Sequence, residues 1–120
     1  YIATYTVNDS MLATLDGIMA ARNAASWLGI CVMSIGTGVI VTLAVYGARN
    51  GSYLPLLYGV PVFIMCGLPH SIADAFYYWV AILRGDFAAW MIVAWLWSVV
   101  GNYIGCNLPR WFMGDQFDTK

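Results

Sequence analysis

Apolar residues fill three long stretches of this chain, 27–48, 53–83 and 87–109, in which His70 and Asp74 are the only residues from the His, Lys, Arg, Asp and Glu set. Two polar connectors separate them, Arg49-Asn50-Gly51-Ser52 and Arg84-Gly85-Asp86. The first stretch is 22 residues long, and as a helix it reaches about 33 Å, enough to cross the hydrocarbon of a bilayer. The third is of similar length and ends at Pro109, Arg110 and Trp111, a combination that marks a membrane interface. The middle stretch is too long for one straight span and carries its own interruption. Pro55 and Pro61 suit an early turn and a bend. Gly67 and Pro69 stop the helix, because proline lacks a donor and disfavours helix in the residue before it. A second half-helix is predicted over 71–83, with His70 or Ser71 at its start.

Upstream, Asp9 or Ser10 suits an N-cap for a helix beginning at Met11. Leu12, Leu15, Ile18 and Met19 recur there at helical spacing, with Asp16 and Arg22 on other faces. Such a segment is either an amphipathic helix at the membrane surface or against a partner, or a lead-in to the first span. The chain divides accordingly into a polar lead-in and interfacial helix over 1–26, a membrane domain over 27–113 and a polar tail over 114–120. The spans cover about 27–48, 53–83 (broken near 67–70) and 87–111. The predicted fold is all-α and integral to a membrane, with three transmembrane segments and a broken helix in the middle.

Composition agrees and narrows the choice. With 62% hydrophobic and 9% charged residues the chain lies outside the soluble range. A net charge of −1 excludes a polybasic surface for nucleic acid. Cys31, Cys66 and Cys106 are lone thiols within apolar runs and read as buried packing residues; with one histidine in the chain, neither a metal cage nor a cofactor is expected. No signal-peptide pattern begins at Tyr1, which leaves a processed chain or the later part of a longer one. Three crossings place Arg49, Arg110 and Lys120 on one side, with Arg22 and Arg84 on the other. That excess puts the C-terminus in the cytoplasm, and the plasma membrane is the expected location.

The chemistry concentrates in Gly67-Leu68-Pro69-His70-Ser71-Ile72-Ala73-Asp74. An ionisable ring and a carboxylate at membrane depth are costly and mark a function by default. Irregular backbone at that depth must be shielded by protein or line a wet cavity. Two half-helices meeting at mid-membrane are a recurring way to build an ion or substrate site, and a helix N-terminus favours negative charge. Elsewhere, Gly29, Ser34, Gly36, Thr37 and Gly38 form either a packing seam or a pore-lining stripe. Asn102, in the small and polar stretch Gly101–Asn107, is either an interhelical hydrogen-bond contact or a cavity residue. His70 and Asp74 also admit a base with an orienting acid, but no nucleophile, phosphate loop or metal cluster accompanies them, so an enzyme is not expected.

Three strings carry a resemblance: Trp-Leu-Gly-Ile at 27–30 with Val-Thr-Leu-Ala-Val-Tyr at 41–46, the Gly-Leu-Pro-His-Ser-Ile-Ala-Asp element at 67–74, and Gly-Asn-Tyr-Ile-Gly at 101–105. Over about residues 20–112 the chain resembles the second half of the formate/nitrite transporter family. The resemblance implies an aquaporin-like half-repeat, in a family whose protomers have six helices in two inverted repeats and assemble as pentamers. Members pass small monovalent anions, often with a proton. On this resemblance the pore and substrate residues are His70, Ser71, Asp74, Arg22, Asn102 and Gly38. His70 falls on the family's central pore histidine, Arg22 on its lysine near the pore and Asp74 on an asparagine. Gly38 stands where an asparagine is expected, and Pro69 where an acid often precedes the histidine.

Two functions are carried forward. The first is a membrane channel component for small monovalent anions, proton-linked through His70, with apolar rings from Phe63, Ile64 and Phe76 excluding the bare ion. Its partners are the lipid bilayer, the anion, and a missing N-terminal repeat or second subunit, in a homopentamer or a larger membrane complex. The second is a non-conducting structural subunit on the same scaffold, favoured if Arg22 and Asp74 meet and cancel each other's charge.

Overall fold

The computed structural model describes residues 9–114; the uninformative stretch 1–8 and most of the predicted polar tail, 115–120 with Lys120, lie outside the described residues. Five helices follow one another: α1 (Asp9–Ala24), α2 (Trp27–Arg49), α3 (Leu54–Met65), α4 (Ser71–Leu83) and α5 (Ala89–Met113). α2 and α5, of 23 and 25 residues, are long and apolar enough to cross a membrane, whereas α3 and α4 are shorter apolar helices. The bundle is 47 Å along its longest axis, taller than a hydrocarbon core of about 30 Å.

α2 and α5 run parallel in close contact, because their shared face is made of small residues. A Cβ on Gly101 would collide with the Cys31 carbonyl oxygen, and one on Gly105 with that of Ile35. A Cβ on Gly38 would lie 2.6 Å from the Asn102 carbonyl oxygen. Ser34, Thr37 and Ser98 are buried in the same seam. Of the small residues expected to form a seam or a pore stripe, Ser34, Thr37 and Gly38 are buried, with Ser34 and Gly38 against α5. Gly36 has nothing within 4 Å of a built Cβ and Gly29 meets only Ser26 of its own N-cap, because they lie on other faces of α2. Gly38, a predicted pore residue, lies in that seam against the α5 backbone.

α3 returns antiparallel to α2, with Gly59 facing Ile40 and Ala44. Pro55 sits in its first turn, where no donor is missed, and α3 continues through Pro61. α5 likewise continues through Pro109, past the boundary expected at the interface. Between α3 and α4 the chain turns at Gly67, whose φ of +62° is a conformation that side chains with a Cβ rarely adopt. α4 then runs antiparallel to α5.

α1 starts by Asp9, so both residues expected to cap it lie inside the helix. Leu15 is buried, Leu12, Ile18 and Met19 are half-buried, and the helix packs on the chain's own α4 and α5. Arg22 departs from the expected arrangement. It lies seven residues after Leu15, on the same stripe, and is buried with it. It therefore leaves the count of cations at an aqueous end.

A small core of Ile30, Tyr78, Ala81, Met91 and Ala94 joins α2, α4 and α5. Outside it the chain exposes large apolar side chains on every helix, including Met65 at 86%, Ile72 at 76% and Leu28 at 70%. Such a surface is solvated by lipid or covered by protein. The cysteines show the same property. Cys31 is buried, but Cys66 and Cys106 are exposed, which corrects the expectation of three buried thiols. A five-helix unit has too little interior to enclose every apolar run.

Candidate functional site at the α3–α4 interruption

The interruption 66–70 is held from two sides by side chains far away in sequence. From α1, Arg22 Nη1 donates to the Gly67 carbonyl at 2.9 Å, while Nε and Nη2 lie 3.3 and 3.4 Å from Asp74 Oδ1. One guanidinium thus clasps a residue within the gap and the first turn of the helix after it. The two side chains are 8% and 1% exposed. Burial of both charges is tolerated because each has a partner; a lone charge there would cost several kcal/mol (about 3–5).

From α5, Asn102 Oδ1 accepts the Ser71 backbone N–H at 2.7 Å, and its Nδ2 donates to the Ser34 carbonyl at 2.7 Å. Asn102 is therefore the interhelical hydrogen-bond contact of the two roles left open, joining α2, α4 and α5. Trp95 Nε1 donates to the Ser71 carbonyl at 2.9 Å. Ser98 Oγ donates to Asp74 Oδ2 at 3.4 Å and lies 3.3 Å from Ser34 Oγ. The buried side-chain polar atoms of Arg22, Ser34, Asp74, Ser98 and Asn102 all have partners, as buried polar atoms require, whereas the buried Tyr78 hydroxyl has none among the described residues.

His70 is the N-cap of α4. Its backbone is extended, with φ −133° and ψ 122°, and its side chain accepts the Ala73 N–H. That bond runs to Nδ1 at 3.4 Å, so the neutral ring carries its proton on Nε2. The imidazole stacks on Phe63, with centroids 5.5 Å apart and planes 21° apart. Phe63 is buried, whereas Ile64 and Phe76, the other predicted apolar-ring residues, are exposed at 61% and 59%. Asp74 engages Arg22 and Ser98; its hydrogen bonds do not orient the imidazole as a base–acid pair would.

His70, Ser71, Asp74, Arg22 and Asn102 thus gather within one hydrogen-bonded neighbourhood, with Gly38 beside Asn102 in the helix seam. The sequence reading missed Ser98 and Trp95 as members of this network and the Gly67 carbonyl as its acceptor. Its signal was the spacing Ser98, Gly101, Asn102, Gly105, one stripe of small and polar residues on an otherwise bulky helix.

At the far end of α4, Arg84 Nη1 donates to Asp16 at 2.7 Å, tying α1 to the bundle a second time. That hydrogen bond and the Asp16 charge push the guanidinium further up from its ordinary value, so Arg84 stays charged.

The family model described as formate/nitrite transporter matches residues 1–111. No curated protein and no solved structure is significantly similar to the chain. A match across nearly the whole sequence, on an all-helical chain with two apolar helices of membrane-crossing length, makes this an integral membrane protein of a transport family and not of an enzyme family. The chain belongs to the formate/nitrite transporter family.

Proposed function

We propose that the chain forms half of a transmembrane pathway for small monovalent anions, with His70 at its centre and α3 and α4 acting together as one interrupted span. The observation that carries this reading is the bracing of the interruption. Arg22 and Asn102 fix the backbone on its two sides, and the half-buried imidazole stands at the N-terminus of α4 with Nδ1 spent on the cap. Its Nε2–H is then the donor left for an anion arriving at the gap, where the helix terminus also favours negative charge. Proton transfer from the imidazole, or from water, lets the anion cross as a neutral weak acid.

The unit corresponds to the family's second inverted repeat. The exposed apolar faces beside the gap, Met65, Ile72 and Phe76 among them, are covered by a companion repeat or a second subunit, within a pentamer or a larger membrane complex. The C-terminus lies in the cytoplasm and the membrane is the plasma membrane.

The experiment is anion-dependent proton flux in liposomes with the full-length protein. Loss of flux and of its pH dependence in His70→Ala is expected; unchanged flux in that variant rejects the mechanism.

One observation favours a second reading. The Arg22–Asp74 contact cancels the positive charge nearest the gap, which suits a structural subunit that has lost conduction. That reading predicts co-purification with a larger membrane complex and no flux, and measurable flux from a homo-oligomer rejects it.

A further inference from the structure

We propose that a second site, separate from the interruption, holds the headgroup of a phospholipid with a primary amine. A cavity of about 250 Å³ opens between α1, the end of α4 and the start of α5, at the Arg84-Gly85-Asp86 connector. Its rim is charged and its floor is apolar. Asp16, Arg84 and Asp86 form the rim, and Met19, Trp90 and Met91 form the floor. Such a lining matches a molecule whose polar and apolar parts are joined, as a phospholipid's are at the glycerol.

The charges select among headgroups. Two carboxylates and one guanidinium leave the rim with a net charge of −1, which repels an anionic headgroup. Arg84 uses Nη1 on Asp16 at 2.7 Å and faces Asp86 through Nε at 3.7 Å. Its Nη2 makes no hydrogen bond among the described residues, and one oxygen of each carboxylate is likewise uncommitted. A phosphate is the natural acceptor for the free edge of a guanidinium. A primary ammonium brings three donors to the free carboxylate oxygens, and a quaternary ammonium brings none. Phosphoethanolamine therefore satisfies the rim where phosphocholine and phosphoglycerol do not.

The depth is also appropriate. The connector follows directly on the apolar α4, and Phe87 and Trp90 flank it, the mixture of charge and aromatic rings found at headgroup level. Side-chain exposures of 33% for Arg84, 59% for Asp16 and 63% for Asp86 leave the rim open to such a ligand.

The test is native mass spectrometry of the full-length protein in micelles carrying equal amounts of phosphatidylethanolamine, phosphatidylcholine and phosphatidylglycerol. Phosphatidylethanolamine adducts are expected in excess by about two- to fivefold, the range that one solvent-screened ion pair gives. The excess should fall to parity in Asp86→Asn, and adducts of all three lipids should fall in Arg84→Gln, which removes the phosphate partner they share. Equal adducts of the three lipids on the wild type, or a preference retained in Asp86→Asn, overturns the site. Capture of soluble phosphoethanolamine without preference among the lipids overturns the assignment to a bilayer ligand. Asp86→Asn removes only a 3.7 Å contact, so it carries the test alone if Arg84→Gln does not fold.

Discussion

Arg22 and Asp74, 52 residues apart in sequence, face each other with Nε 3.3 Å from Oδ1, and the same guanidinium holds the Gly67 carbonyl. The ion pair is thus also the clasp on the interruption. Breaking either partner leaves a buried charge without its counterion. Asp74→Ala is expected to cost about 3–5 kcal/mol, and the double variant Arg22→Met with Asp74→Leu to recover most of that loss. Thermal unfolding in micelles measures both. Equal destabilisation by the single and the double variant would show that the pair contributes through shape alone.

The same pair yields a transport prediction under the proposed function. Asp74→Asn keeps the side-chain size and an acceptor for Ser98, but leaves the Arg22 charge uncancelled. Anion flux in liposomes should rise by about tenfold, the effect of ~1.4 kcal/mol of added attraction. A flux unchanged by this variant would mean that anions do not sense the pair.

His70 has a structural duty, since it caps α4 through Nδ1, and a proposed chemical one. His70→Asn separates them, because asparagine is among the best N-caps and has no imidazole to carry a proton. The variant should keep thermal stability within about 1 kcal/mol of wild type and lose proton-coupled flux. Flux retained with stability lost would assign the histidine to the cap only.

Asn102 serves two backbone groups at once, the Ser71 N–H and the Ser34 carbonyl. Asn102→Ala leaves both without a partner, at about 1–3 kcal/mol for each buried group. Hydrogen exchange should then quicken first at Ser71 and the start of α4. Uniform loss of protection over the whole bundle would contradict a local role.

The glycines of the chain should divide by position. Gly101→Ala and Gly105→Ala place a methyl group against the Cys31 and Ile35 carbonyls of the facing helix, an overpacking cost of about 1–3 kcal/mol or more. Gly17, inside α1, has nothing within 4 Å of a built Cβ, and Gly17→Ala should stabilise by about 0.5–1 kcal/mol through helix propensity. Melting temperatures of the three variants check the contrast.

Much of this protein was legible one residue at a time. The uncharged runs gave α2 and α5, because a helix long and apolar enough for lipid is a property of composition and length. Gly67 and Pro69 located the gap between α3 and α4, because the constraints of glycine and proline are local. Other positions depended on partners that no local pattern names. Helical spacing set Arg22 on another face from Leu15, and only the family resemblance raised its meeting with Asp74; it lies inward, because the energy of pairing with Asp74 and Gly67 exists only once α1 docks. Ser98 and Trp95 looked like ordinary members of a bulky helix until α4 supplied their acceptors. Cys66 and Cys106 looked like core residues because hydropathy reports dislike of water, whereas burial depends on whether another helix covers them. Sequence determined which segments leave water and where the chain must bend. Tertiary structure decided which buried polar atoms satisfy one another, since hydrogen bonds and ion pairs act over a few ångströms between residues far apart along the chain.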